Sequence, residues 1–160
     1  MIPKIIHYCW FGGKPMPQLA QKCIASWKKY LPDYEIKRWD ESNFDVNQLP
    51  YTRDAYANGK YAFVSDYARF KILYEEGGIY LDTDVELVKP LGAIVEDGPF
   101  MGEEEKMRCN PGVGIGAEPR MSFVKEMLDF YQNLNFITEE GGLNMQTIVT
   151  YTTDLLNTHG

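Results

Sequence analysis

One stretch, from Tyr61 to Asp84, limits the folds open to this chain. Phe63, Tyr67, Phe70 and Tyr74 recur at helical spacing and predict a helix from Tyr61 to Glu76. Gly77-Gly78 supplies its stop, because glycine takes the left-handed conformation past a helix end. The apolar run Ile79-Tyr80-Leu81 follows at once as a short strand and leads into Asp82-Thr83-Asp84. The rest of the chain repeats this alternation. Lys4 to Trp10 is a compact apolar run, read as a buried first strand and broken by Phe11-Gly12-Gly13-Lys14-Pro15. Leu19, Cys23, Trp27 and Leu31 recur every fourth residue on a helix that Pro32 ends. Tyr34 to Trp39 reads as a strand and Asp40 to Asn43 as a turn. Val85-Glu86-Leu87-Val88 alternates like a strand closed by Lys89-Pro90, and Pro99 to Glu103 and Val113 to Ala117 read as further strands. Two more helices carry Phe123, Met127, Tyr131 and Leu134, and, from Met145 to Leu156, Ile148, Thr152 and Leu155. Strands alternating with helices predict an α/β fold, a mainly parallel sheet flanked by helices, in a single domain over residues 1–160.

Composition removes whole classes of function. With 44% hydrophobic residues and 14% aromatics, the 160-residue chain has a core to bury and is not a disordered segment. No apolar run approaches the roughly 18 residues that span a bilayer. Met1-Ile2-Pro3-Lys4 is not a basic region leading into an apolar stretch, so no secretory signal is visible and a cytoplasmic location is expected, with peripheral membrane contact still open. A net charge of -7 repels phosphate backbones and argues against nucleic acid as a partner. It also repels an anionic small molecule unless a cation or a local arginine intervenes. Cys9, Cys23 and Cys109 are odd in number and widely spaced; they fit small buried hydrophobes in a reducing compartment, not a disulfide framework or a zinc site.

The residues that suggest chemistry gather around the aspartates. In an extended backbone residues i and i+2 point the same way, so Asp82 and Asp84 are expected to converge at a strand's carboxyl end, where open α/β sheets bind ligands. Two carboxylates brought together repel, and a divalent cation relieves the repulsion; oxygen ligands favour Mg²⁺, Mn²⁺ or Ca²⁺. D-x-D alone would more often be a solvated acidic turn, but the apolar strand before it shifts the balance toward a site. Asp66 and Arg69 share one face of the preceding helix, as a surface ion pair or as a phosphate and sugar contact. Trp10 ends the first strand and is either core or a stacking platform. His7, inside that strand, reads as a core residue, His159 receives no role, and Glu103-Glu104-Glu105 reads as a solvated loop. The glycines between Asn110 and Gly116 permit close backbone approach to a ligand, yet they form no phosphate-binding fingerprint.

Taken together, I-P-K-I-I-H-Y-C-W-F-G-G at 2–13, S-W-K-K-Y-L-P-D-Y-E at 26–35, S-D-Y-A-R at 65–69 and G-G-I-Y-L-D-T-D-V at 77–85 resemble glycosyltransferase family 32. These are sugar transferases with a DXD motif, among them capsular polysaccharide enzymes and fungal mannosyltransferases; the same elements are similar to the glucosylating toxin domains. The resemblance covers residues 1–90 and weakens beyond Pro90. It implies a GT-A type nucleotide-diphospho-sugar binding fold and retaining transfer to a glycan or lipid-linked acceptor. The implied cofactors are Mn²⁺ or Mg²⁺ and a nucleotide-sugar donor, a UDP-sugar ahead of a GDP-sugar. By motif match Trp10 would stack the base, Asp66 and Arg69 would contact donor sugar and phosphates, and Tyr80 would line the nucleotide site. Asp82 would contact ribose or sugar and support the metal, Asp84 would ligate it, and Asn43 aligns with a nucleotide-contacting turn. The catalytic set implied is Asp82, Asp84 and Arg69. Family members usually continue past the point where this chain stops, so the chain reads either as C-terminally truncated relative to them or as a short homologue. Two other readings stand beside this one: a nucleotide-sugar binding module without turnover, and a phosphatase of the haloacid dehalogenase type, whose pattern wants Thr or Val where this chain has Glu86.

Overall fold

The computed structural model describes residues 1–105 and 108–158, without the side chains of 103–105, 108 and 109. Strand β1 spans Ile5–Cys9 and helix α1 Gln18–Tyr30; β2 spans Glu35–Trp39, α2 Pro50–Ala57 and α3 Tyr61–Glu76. They are followed by β3 (Gly78–Tyr80), α4 (Gly92–Glu96), β4 (Phe100–Met101), β5 (Glu103–Glu105) and β6 (Arg108–Cys109). The last elements are β7 (Ile115–Ala117), α5 (Ser122–Gln132) and α6 (Ile148–Thr158).

A five-stranded sheet in the order β2-β1-β3-β7-β4 organises the fold. β1 pairs in parallel with both β2 and β3, while β7 runs against β3 and β4, so four of the five strands point one way. Alternation along the strands divides the core between two faces. Ile6, Tyr8 and Ile79 pack with Cys23, Trp27 and Leu31 of the α1 side. Cys9, Tyr80, Ile115 and Ala117 pack with Val64, Phe70 and Leu73 of α3 and Met127 and Tyr131 of α5. The expectation of a mostly parallel sheet flanked by helices is met. No helix among the described residues is long and apolar enough to cross a membrane.

The strongest sequence signals hold. α3 occupies Tyr61–Glu76 and ends on Gly77, whose φ of 67° is the left-handed conformation that favours glycine. Its N–H donates to the Leu73 carbonyl at 2.8 Å. His7 is fully buried, donating from Nε2 to the Gly77 carbonyl (2.8 Å) and accepting at Nδ1 from the Trp39 indole N–H (3.1 Å). Burial holds its pKa below the ordinary value, as a neutral core imidazole requires.

Other expectations change. Leu19 is 58% exposed, and Ala20 takes the buried place on α1 beside Cys23 and Trp27. A strict four-residue repeat drifts by about 40° per step on a helix of 3.6 residues per turn, so a stripe defined that way slides off the core. Val85 to Val88 is not a strand. Its polar backbone groups bind α1: the Trp27 indole N–H donates to the Val85 carbonyl (2.8 Å), and the Leu87 N–H donates to Ser26 Oγ (2.9 Å). Glu103–Glu105 pairs with β6 as a two-stranded ribbon and is not a loop. α2 escapes the periodicity because it is a short helix, although Pro50 at its first turn is a start signal. Cys9 and Cys23 are free and buried, burial pushing the Cys9 thiol up to about 12; the side chain of Cys109, and His159, lie outside the described residues.

Candidate functional site

A cavity of ≈ 550 Å³ opens at the carboxyl ends of β1 and β3. Trp10, Asp66, Arg69, Tyr80, Asp82 and Asp84 all line it. β1 delivers Trp10, α3 delivers Asp66 and Arg69 from one face, and β3 delivers Tyr80 and the turn after it. Lys14, Ser65, Asn110 and Ile148 line it too and were not singled out in the sequence as site residues. The Gly-Gly-Lys-Pro run held a signal for the first of them, since it places a cation four residues past Trp10. The structure does not bring Asn43 here. Asn43 Oδ1 accepts the Asp40 N–H and its Nδ2 donates to the Arg38 carbonyl, both at 2.9 Å, closing the turn after β2. Asn43 borders a separate depression with Trp39, Lys71 and Glu75.

The floor of the cavity is an ionic cluster. Arg69, its side chain 3% exposed, donates from Nε to the Ser65 carbonyl (3.1 Å) and from Nη2 to Asp66 Oδ1 (3.1 Å), and Nη2 lies 3.3 Å from Asp82 Oδ1. The guanidinium stacks 4.6 Å from the centre of the Tyr80 ring, and the Tyr80 hydroxyl donates to Asp82 Oδ1 at 3.1 Å. Burial opposes the charge on Arg69, but the carboxylates of Asp82 and Asp66 outweigh it and its pKa is raised. Burial pushes the Asp66 carboxyl up to about 6 despite Arg69, with Asp82 adding to the rise and the Ile148 N–H opposing it. Burial likewise raises the Tyr80 hydroxyl, which stays a protonated donor.

Asp82 and Asp84 reach the cavity by a different route from the one expected. The Val85 N–H donates to the Asp82 carbonyl at 3.1 Å, so Asp82-Thr83-Asp84-Val85 is a turn and the i, i+2 rule of an extended strand does not place them. Asp82 is half-buried and held on the floor. Its N–H donates to the Gly112 carbonyl at 3.1 Å, and a Cβ on Gly112 would overlap Asp82 Oδ2 and stand 3.1 Å from Arg69 Nη1. The glycine-rich loop approaches the site's own carboxylate. Asp84 is exposed, and among the described residues its carboxylate makes no hydrogen bond or ion pair.

Among the described residues no group of three or more His, Cys, Asp or Glu is placed to hold a metal. Two carboxylates of hard oxygen donors, one of them unengaged, instead fit a divalent cation that completes its coordination on a bound ligand and water. A second cavity, of ≈ 390 Å³, lies between the β4–β7 edge and α5; its lining is mainly apolar, with Phe100, Met101, Ile115 and Phe123, and it shares no residue with the aspartate site.

The chain is similar to known glycosyltransferases. An uncharacterized glycosyltransferase of Acanthamoeba polyphaga mimivirus is 36% identical over 106 residues, 62% of this chain and 42% of that one. The inositol phosphoceramide mannosyltransferase 3 of Schizosaccharomyces pombe is 37% identical over 91 residues, 52% of this chain and 24% of that one. The chain thus spans less than half the length of these curated relatives. The solved structure of PaToxG glycosyltransferase superposes with a TM-score of 0.71 over 99% of this chain and 69% of that one; at 22% identity the match speaks for the fold. The family model of the glycosyltransferase sugar-binding region containing a DXD motif matches residues 17–104, just over half of the chain. That span carries Asp66, Arg69, Tyr80 and the Asp82-Thr83-Asp84 motif, and the chain belongs to this family of DXD-containing glycosyltransferase sugar-binding regions.

Proposed function

We propose that this chain is the donor-binding domain of a metal-dependent, retaining glycosyltransferase that moves a sugar from a nucleotide diphosphate, UDP ahead of GDP, to a glycan or lipid-linked acceptor. The observation that carries this reading is the convergence of Trp10, Asp66, Arg69, Tyr80, Asp82 and Asp84 on one cavity at the carboxyl end of the sheet. Trp10 offers an aromatic face to the base. Asp84, with Asp82 behind it, would hold Mn²⁺ or Mg²⁺, which when bound neutralises charge developing on the departing diphosphate. Arg69 fixes Asp66 and Asp82 and offsets one of their two negative charges in a protein of net charge -7. No side chain at the cavity is assigned as a nucleophile; the acceptor hydroxyl passes its proton to the departing phosphate, and no protein base is needed.

A thermal-shift series of UDP- and GDP-sugars with and without Mn²⁺ tests the reading. A ligand of the folded state at about 100 times its Kd adds about 2.7 kcal/mol of stability. The melting temperature is expected to rise with a nucleotide sugar and Mn²⁺ together, and more for UDP than for GDP. No rise with any donor would overturn the proposal. The alternative to transfer is donor binding without turnover. Slow hydrolysis of a bound donor would favour the enzyme. Family membership supports sugar transfer over the phosphoryl chemistry of the haloacid dehalogenase reading.

A further inference from the structure

We infer that Lys14 is the cation that meets the donor's diphosphate in this cavity, and that Arg69 does not serve as that cation. The inference rests on the nucleotide-donor reading of the site. It follows from which charges are already engaged. The described lining holds three carboxylates, on Asp66, Asp82 and Asp84, and two cations, on Arg69 and Lys14. Arg69 is buried and its Nη2 lies against both Asp66 and Asp82, so its single positive charge is already spent on two carboxylates of the site itself. Lys14 is exposed on the cavity's edge, and among the described residues its ammonium has no hydrogen bond or ion pair.

Lys14 also stands on a built turn. Gly12, at φ 99°, donates its N–H to Glu41 Oε2 at 2.7 Å, and Glu41 accepts the Tyr56 hydroxyl at 2.8 Å. A Cβ on Gly12 would stand 2.5 Å from the Tyr61 ring, so the turn lies flat against the first residue of α3. The Trp10 indole N–H then donates to the Lys14 carbonyl at 2.7 Å. The indole that would stack the base and the backbone that carries the lysine are thereby tied together. One turn would read both the flat and the anionic parts of a nucleotide, in the cavity that Asp84 also lines. A point charge on a flexible stem suits a diphosphate that must leave after transfer better than a locked bidentate clamp.

Calorimetric titration of the whole chain with UDP in the presence of Mn²⁺, and with uridine as a phosphate-free probe, tests this in the parent, Lys14→Gln and Lys14→Arg. The Trp10 hydrogen bond goes to a backbone carbonyl and survives both substitutions. Lys14→Gln is expected to weaken UDP about tenfold, the scale of one hydrogen bond to a charged group, and to leave uridine unchanged. Lys14→Arg should keep most of the UDP affinity, and added salt should weaken UDP less in Lys14→Gln than in the parent. Equal UDP affinity in Lys14→Gln and the parent would overturn the role of Lys14 while leaving the donor reading intact. Equal losses for UDP and uridine would also overturn it, since the lysine would then only be supporting Trp10. A parent that binds no UDP with Mn²⁺ would bring down the donor reading and this inference together.

Discussion

The floor and the rim of the cavity handle charge in opposite ways. On the floor, Asp66, Arg69 and Asp82 lie within 3.3 Å of a partner, and Tyr80 covers the guanidinium. On the rim, Asp84 and Lys14 are exposed and, among the described residues, unpaired. Two aspartates of one motif, separated by a single threonine, therefore stand in different electrostatic circumstances. A buried charge must be compensated within the fold, because water no longer solvates it. A rim charge is solvated and can exchange water for a ligand at little cost to the fold. The difference teaches that one aspartate of the D-x-D motif is built into the scaffold while the other stays unengaged among the described residues.

The comparison breaks most visibly at Arg69. Arg69→Met keeps the length of the side chain and removes the charge, leaving Asp66 and Asp82 facing each other without a cation. Losing one partner of a buried pair costs about 3–5 kcal/mol, and the low end applies because the Asp82 side chain is 37% exposed and partly screened. Urea denaturation at neutral pH is expected to record a loss of about 3 kcal/mol. The loss should also depend on pH. The folded Asp66 carboxyl, at about 6, lies above its ordinary value of 3.8, so in that window the folded state holds the proton more tightly than the unfolded chain. Stability contributed by this group falls as pH rises through the window, and removing Arg69 steepens the fall. Arg69→Met should therefore be less damaging at pH 5 than at pH 8. A loss below about 1 kcal/mol, flat in pH, is what an exposed pair would give and would erase the distinction between floor and rim.

A smaller effect sharpens the boundary between the two. A methyl group at Gly112 would meet the far end of the Asp82 side chain, which can rotate, so Gly112→Ala should displace that carboxylate while the fold survives. Overpacking of this kind costs about 1–3 kcal/mol, and the mobility of the struck group places the expected loss near 1 kcal/mol. A double-mutant cycle with Asp82→Ala isolates the cause: with no carboxylate to strike, Gly112→Ala should lose most of its effect. A full, additive loss in the Asp82→Ala background would mean that Gly112 serves the loop and not the aspartate.

What the sequence disclosed follows the same physics. α3 and its glycine stop were legible because a four-turn apolar face and a left-handed cap are local signals. β1 and β2 were legible as aromatic and branched runs bounded by turn residues. The convergence of Trp10, Asp66, Arg69, Tyr80, Asp82 and Asp84 was legible through motif resemblance and not through spacing. The spacing argument assumed an extended backbone at 82–84, where the chain turns. The course of Val85 to Leu87 depends on Trp27 and Ser26, some sixty residues away, and no local pattern reports such bonds. The engagement of Arg69 with two carboxylates is tertiary in the same sense: the i, i+3 spacing exposed Asp66, but Asp82 arrives from another element. Asn43 illustrates the converse, since a loosely aligned turn residue proved to hold its own turn.

Asp84 should give the smallest change in stability. Asp84→Asn removes an exposed carboxylate without a hydrogen bond or ion pair among the described residues, from a protein already at net charge -7. Relief of like-charge repulsion toward Asp82 offsets whatever local solvation is lost, so the unfolding free energy should stay within about 0.5 kcal/mol of the parent. The same variant should lose the Mn²⁺-dependent part of the UDP-induced rise in melting temperature, because asparagine offers a neutral oxygen where a hard cation needs charge. The two measurements pull apart only if the rim is free to serve a ligand. A variant that unfolds as readily as Arg69→Met would move Asp84 into the floor. A variant with unaltered stability and an unaltered response to Mn²⁺ would leave Asp82 to hold the ion alone, with its Oδ1 already engaged by Arg69 and Tyr80.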